Sequence, residues 1–386
     1  MSKFNHVSFN QDDSCFSCST DNGFLIYNTF PLQRKLVQKF EAEDNLKGKS
    51  IGMTELLNRS NYIAMVGGGS SPRYPVNALI IWDDLSKKET IRLNFMSIIK
   101  KFFISRCFII IVLEKSISIY KFAKNPIKLC DDFEIPINSN VDFRTSKETD
   151  DQINGIICFE TVKNRGQVRI VNLTLKNDKL MTNSIIFKAH KTGINLMKFN
   201  NQGNMISTCS KKGTLIRVFN VHNGQLIKEF RRGLDNVTIY GMKFSPQGKT
   251  LAIVSNKQTL HVFKILNDKN DNKVHVLNGI IPKSINWGVT NYLESTWSMC
   301  KLHLQNSKLS QTDKDLEEDR CKIGWCHNDD DDSFVLVWLN RGIWEKYVIL
   351  EKKPYTVSET LNQSINNQDS FNDKKWEIIR ESWRQL

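Results

Sequence analysis

Short apolar runs of four to eight residues, each followed by a polar turn, recur along this chain. Examples are Phe24–Tyr27, Tyr62–Val66, Ala78–Trp82, Phe108–Leu113, Ile156–Phe159, Val168–Val171, Leu251–Val254, Leu260–Ile265 and Phe334–Leu339. Most are rich in Val, Ile and Phe and are bounded by Gly, Asn, Asp or Ser, the composition of strands and their turns. Apolar positions at helical spacing are nearly absent, so the pattern predicts an all-β chain of many short strands.

One stretch of this pattern is repeated. GINLMKFNNQGNMISTCSKKGTLIRVF (Gly193–Phe219) is followed by VTIYGMKFSPQGKTLAIVSNKQTLHVF (Val237–Phe263). At an offset of 45, Lys198-Phe199 aligns with Lys243-Phe244, Gly203 with Gly248, Ser210 with Ser255 and Thr214 with Thr259. The extra Ile216 then reduces the offset to 44, which aligns Val218-Phe219 with Val262-Phe263. A period of about 45 residues with strand, Gly turn, strand, Ser-rich turn and strand is the layout of a WD40-type propeller blade. Cut at similar intervals, the chain predicts a seven-bladed β-propeller of four-stranded antiparallel blades, at approximately 3–42, 50–95, 96–136, 152–189, 190–233, 236–310 and 320–386. The segments 137–151, 266–294, 305–320 and 352–374 are then polar or irregular insertions. Four strand candidates at each end predict that the ring closes without a borrowed N-terminal strand. The dipeptide WD appears only as Trp82-Asp83, so the ring is WD40-like and divergent.

Composition narrows the class. The 386 residues carry a formal net charge of +13, which points to an anionic partner without naming it. No apolar stretch reaches the length of a membrane-spanning helix. The start, MSKFNHVSFNQDDS, lacks the apolar core of a secretory signal. Nine scattered cysteines are read as reduced thiols of a cytosolic protein. Cys15 and Cys18 form a CxxC with no second pair at zinc-finger spacing, and Cys321, Cys326 and His327 lack an obvious fourth ligand. Gly67-Gly68-Gly69-Ser70-Ser71 lacks the Lys-Ser/Thr of a phosphate loop, and Asp329–Asp332 reads as a solvated turn. With no activated nucleophile, carboxylate dyad or metal cluster, the sequence predicts neither an enzyme nor a cofactor.

The candidate chemistry lies between the two repeat copies, at Glu229-Phe230-Arg231-Arg232-Gly233. Adjacent residues of a strand face opposite sides, so Arg231 and Arg232 can each serve one of the two grooves flanking a blade. On the first side stand His190, Ser210, Thr214 and Arg217; on the second stand Ser255, Thr259 and His261. An arginine fork, hydroxyl donors and a second basic side chain suit a phosphate. Taken alone, an Arg-Arg pair is ordinary solvated charge, and Ser or Thr in a turn commonly bonds local backbone.

FRRG after KGTLIRVF, followed by IYGMKFSPQGKTLA and TLHVF, resembles the PROPPIN family, strongly over roughly 188–263. The resemblance implies a seven-bladed propeller that binds phosphatidylinositol 3-phosphate and phosphatidylinositol 3,5-bisphosphate in autophagy and at endosomes and vacuoles. It implies one headgroup site with His190, Ser210, Thr214, Arg217 and Arg231, and a second with Arg232, Ser255, Thr259 and His261. Gln258 stands where the family usually has Gly in the KGT turn, a departure that bears on the tightness of the second site. The Phe of FRRG resembles the autophagy-type fungal members more than the LRRG branch.

The segment 267–294 interrupts blade 6 and is apolar in its later part. Ile280, Ile281, Trp287, Val289, Tyr292 and Leu293, with few acids nearby, suit insertion at a bilayer interface beside a bound headgroup. The alternative is packing along the blade's edge; the family resemblance favours insertion. Lys100, Lys101 and Arg106 form a candidate basic patch on blade 3 for proteins of the autophagy conjugation machinery.

The expected protein is thus a non-enzymatic phosphoinositide effector in selective autophagy and cytoplasm-to-vacuole targeting. It would be cytoplasmic and peripherally bound to preautophagosomal, endosomal and vacuolar membranes, with no nucleic-acid partner. The competing reading is a WD40-type scaffold whose basic face binds acidic peptides without lipid specificity. If His190 and His261 contact phosphate, lipid binding should strengthen modestly between about pH 7.5 and 6.

Overall fold

In the computed structural model, the apolar runs of the sequence become the second and third strands of four-stranded blades. These strands are covered on both faces: Phe108–Val112, Thr250–Ser255 and Ser333–Trp338 are buried at every position. That is why they read as continuous apolar runs and not as alternation. Outermost strands such as Gln33–Lys39 and Lys88–Asn94 are largely exposed, and they carry little apolar signal. The structure describes residues 3–41, 48–145, 153–177, 179–265, 296–304, 319–326, 332–352 and 375–386.

Seven sheets form the seven blades of a β-propeller. Antiparallel neighbours run in sequence order from the axis outward, and in six blades the four strands are consecutive in the chain. The sixth blade takes His303–Cys300 as its outermost partner, opposite Thr259–Val262. The first blade is built wholly from His6–Lys39 and the last wholly from Cys321–Gln385, so no strand is exchanged to close the ring. Among the described residues, closure instead uses side chains and one backbone bond. Phe4 N donates to Leu339 O at 2.9 Å, and Phe4, Val7 and Phe16 pack against Val335, Val337 and Trp344. Asp13 adds polar stitching by accepting from Trp325 N at 3.1 Å and pairing with Lys243 of blade 6.

The core is divided among the blade interfaces. Leu79 and Ile81 of blade 2 meet Phe102 and Ile109 of blade 3, while Ile216 and Phe230 of blade 5 meet Phe244, Ile253 and Phe263 of blade 6. Full burial of each such side chain is worth about 1.5–3 kcal/mol, so many interfaces of modest size hold the ring together.

Two boundaries differ from the sequence expectation. Blade 4 opens at Val141–Thr145, inside the stretch 137–151 that reads as an insertion. The strand VDFRT escapes an apolar-run criterion because Asp142 and Arg144 face the axis, where Asp142 pairs with Lys198 at 2.6 Å. In addition, Thr296–Trp297 joins the blade 5 sheet in parallel, although it falls within the blade 6 segment of the chain.

The CxxC pair is split between two interfaces. Cys15 packs between blades 1 and 2, and Cys18 between blades 7 and 1, because residues three apart on a strand face opposite sides. All nine cysteines are free thiols. His327 and Asp329–Asp331 lie outside the described residues.

Candidate functional site

The fourth strand of blade 5, Leu226–Arg231, and the residue after it present the arginine pair. Phe230 anchors it: the side chain is 1% exposed, with its ring 4.9 Å from that of Phe263 on blade 6. Truncating such an aromatic to Ala costs about 3–5 kcal/mol. Strand alternation turns Glu229 and Arg231 to the face opposite Phe230. There they lie across from Arg217 and Leu215 of the third strand.

On that face the structure brings His190, Arg217 and an unexpected residue, Thr208, into one cluster. His190 Nε2 lies 2.9 Å from Thr208 Oγ1, and Thr208 is the cross-strand neighbour of Arg217. Arg217 donates through Nη1 to Ala189 O at 2.5 Å and through Nε to Glu229 Oε2 at 2.7 Å. His190 is buried, and burial, aided by the Arg217 charge, pulls its pKa down to about 4. Ser210 and Thr214 bracket the adjoining turn, in which Gly213 N donates to Ser210 O at 2.9 Å. Arg231 stands two pairs further along the strand, on the same face, with Trp297 as its parallel neighbour on the other side. Thr208 was findable in principle, since it shares a strand face with Ser210 two residues on.

Arg232 lies just past the strand and is 7% exposed. Its backbone N donates to Thr214 O at 2.9 Å, which extends the ladder by one bond. Its guanidinium donates to Gly213 O at 3.2 Å and Asp235 O at 2.5 Å. Burial pulls its pKa below the usual guanidinium value, against the opposing pull of Asp235. Asp235 in turn pairs with Lys257 at 2.6 Å, so the connection described between Arg232 and the second repeat copy runs through Asp235 and Lys257. Deeper in that copy, the Ser255 and Thr259 hydroxyls are 2.8 Å apart and buried. His261 occupies the position equivalent to Arg217; its ring stacks on Phe263, and Nδ1 lies 3.2 Å from Ser298 Oγ. The sequence carries no signal for Ser298 or Asp235, because both come from loops outside the repeat.

The Gln258 departure does not alter the turn. Gln258 adopts φ 52°, close to the 65° of Gly213, and its N donates to Ser255 O at 2.8 Å as Gly213 N does to Ser210 O. Space explains why only one copy requires glycine: a Cβ at Gly213 would lie 2.0 Å from Val237 O.

The basic patch expected on blade 3 is divided. Lys101 lines the axial channel, while Arg106 is exposed beyond the other end of the strand Lys101–Ile104.

The PROPPIN family model matches residues 3–312. The chain belongs to the PROPPIN family. These are phosphoinositide-binding, autophagy-related β-propellers. The SVP1-like protein 2 of Saccharomyces cerevisiae is 45% identical over 100% of this chain and 96% of its own length. That of Candida glabrata is 42% identical over 99% and 96%. Among solved structures, Kluyveromyces lactis Hsv2 with complete loop 6CD superposes with a TM-score of 0.72 at 31% identity, covering 100% of this chain and 99% of that one. The complex of KlAtg21 with the coiled coil of AgAtg16 shares the fold, with a TM-score of 0.65 at 17% identity.

In this PROPPIN the expected insertion residues Ile280, Ile281, Trp287, Val289, Tyr292 and Leu293 lie outside the described residues. The chain re-enters description at Thr296–Trp297, paired to Phe230 and Arg231, and continues to Ser298 beside His261. The return from the 267–294 segment is therefore built into the same few residues as the arginine pair.

Proposed function

We propose that this PROPPIN binds phosphatidylinositol 3-phosphate and phosphatidylinositol 3,5-bisphosphate at two rim sites. The first uses His190, Ser210, Thr214, Arg217 and Arg231, with Thr208 as an added hydroxyl. The second uses Arg232, Ser255, Thr259 and His261. The observation that carries this reading is the shared sheet of the FRRG strand and the re-entry segment, Phe230 opposite Thr296 and Arg231 opposite Trp297. That pairing supports a device in which headgroup recognition and the 267–294 segment act together. Ile280, Ile281, Trp287, Val289, Tyr292 and Leu293 would supply the apolar half of a two-signal anchor. The protein would then act peripherally on preautophagosomal, endosomal and vacuolar membranes, in selective autophagy and cytoplasm-to-vacuole targeting.

Recruitment of autophagy proteins is the further part of this reading. It draws on membership of the family and on KlAtg21, whose solved complex is with the coiled coil of AgAtg16. With Lys101 turned to the axis and Lys100 at the channel's edge, Arg106 is the member of the expected patch left exposed away from the channel for such a contact.

Flotation on vesicles with and without phosphatidylinositol 3-phosphate tests the lipid reading. Binding should require the lipid and fall sharply in Arg231→Thr/Arg232→Thr. Equal flotation on vesicles carrying only phosphatidylserine would instead favour a general acidic-surface or acidic-peptide binder.

A further inference from the structure

The repeat signature Lys198-Phe199 and Lys243-Phe244 has no role at the rim. Both pairs lie on innermost strands, where alternation divides them: the phenylalanines are buried in blade interfaces, and the lysines line the axial channel. Inner strands of other blades place Lys101, Lys322, Glu55 and Asp142 along the same channel, around a cavity of about 690 Å³. Six cationic side chains line it, against three carboxylates and the nearby Asp13.

Most of these charges are already engaged. Lys198 pairs with Asp142 at 2.6 Å, and Lys243 with Asp13. Glu55 accepts from Ser8 Oγ at 2.6 Å, and Arg144 donates to Gln11 O at 2.9 Å and Asn201 Oδ1 at 2.6 Å. Lys101 donates to Val141 O at 2.8 Å. The Lys322 side chain makes no hydrogen bond or ion pair among the described residues, with Glu55 attracting it across the channel and four other cations lining the described wall with Lys101. His6, in the same wall, has a buried Nδ1 without a hydrogen-bond partner among them.

The cations are crowded along this wall. Burial and then Lys198 pull Lys101 down to about 7, and the same two causes lower Lys322. Like charges confined in a low-dielectric wall repel, and a small multivalent anion would relieve that repulsion while filling the open ammonium donors. A lysine is a compact point charge with three donors, suited to phosphate oxygens approached from several blades at once.

We propose that the axial channel is an anion site, separate from the rim, that takes a small phosphate-class oxyanion with Lys322 and Lys101 as its main ligands. The anion bridges ammonium groups from inner strands of different blades. Its source is either a free phosphate compound or the headgroup of a lipid.

Calorimetric titration of the full chain with pyrophosphate at low salt tests this. One class of binding should weaken at least tenfold, about 1.4 kcal/mol, in Lys322→Gln, recover in Lys322→Arg, and persist in Arg231→Thr. Lys322→Gln should melt no lower than the parent chain, since it removes a repelled charge. Should that variant fail to fold, Lys101→Gln is read in the same way. No pyrophosphate binding at millimolar concentration, or binding indifferent to Lys322→Gln, overturns the proposal. Flotation on phosphatidylinositol 3-phosphate vesicles separates the sources, both of which uphold the channel site. Flotation reduced by Lys322→Gln identifies a lipid headgroup; unchanged flotation identifies a free anion.

Discussion

Arg217 Nε is held 2.7 Å from Glu229 Oε2, directly across the strand pair. One of the two guanidinium groups assigned to the first rim cluster is thus engaged by a carboxylate. The pair is only half-buried, so its own contribution to stability is about 0–1 kcal/mol. A phosphate would have to compete with Glu229 for the guanidinium. Glu229→Gln should therefore strengthen binding to phosphatidylinositol 3-phosphate vesicles several-fold and leave the melting temperature nearly unchanged. Weaker flotation of this variant would assign Glu229 a supporting role instead.

Arg231 and Arg232 should separate in stability. The Arg232 guanidinium is buried on two carbonyl oxygens, Gly213 O and Asp235 O. Charged hydrogen bonds of this kind are worth about 1.5–3 kcal/mol, so Arg232→Thr should lower the denaturation midpoint measurably. Arg231→Thr, at a half-buried strand end, should lower it less. Equal losses in the two single variants would contradict this division.

The two KGT-type turns should differ in tolerance. Gly213→Ala drives a Cβ into the Val237 carbonyl at a positive φ, so it should cost at least about 2 kcal/mol and weaken the first site. Gln258 already adopts the left-handed conformation, which costs a non-glycine residue about 1–2 kcal/mol. Gln258→Gly should therefore be neutral or mildly stabilising. Chemical denaturation of both variants provides the measurement.

The histidine pH dependence moves from where the sequence would put it. His190 is held near 4 by burial and Arg217, so it is neutral throughout the range from about pH 7.5 to 6. Lipid flotation should be flat over that interval as far as His190 is concerned. Stability behaves differently. The unfolded chain takes up a proton near the ordinary pKa of 6.5, whereas folded His190 and His6 do so only near about 4 and about 3. The stability they contribute is fully present above pH 6.5 and is lost as pH falls through those folded values. Melting temperatures should drop across that window, and less so in His190→Gln.

The all-β class, the seven-blade count, the closure within single blades and the FRRG resemblance were legible in the chain itself. Each rests on local chemistry. Second and third strands are covered on both faces and must be apolar throughout. The Gly and Ser turns recur because every hairpin needs them. Blade 4 shows where this stops: its inner strand Val141–Thr145 is short and charged, and only Lys198, 56 residues away in sequence, makes sense of Asp142. The same holds for Thr208, Asp235 and Ser298, whose partners come from other strands, and for Lys101, which reads as surface charge until the ring closes around it.

By itself, the sequence determined which segments are strands, where the repeat lies and which residue types flank the arginine pair, because burial pattern and turn preference act over a few neighbouring residues. Only the tertiary structure decided which charges meet. Arg217 with Glu229, Arg232 on the Gly213 turn, the re-entry of Thr296–Trp297 beside Arg231 and the lysine-lined channel all depend on strand register and on the juxtaposition of seven blades. Charge interactions follow distance in space, and a propeller brings each inner strand to one axis however far apart the strands lie along the chain.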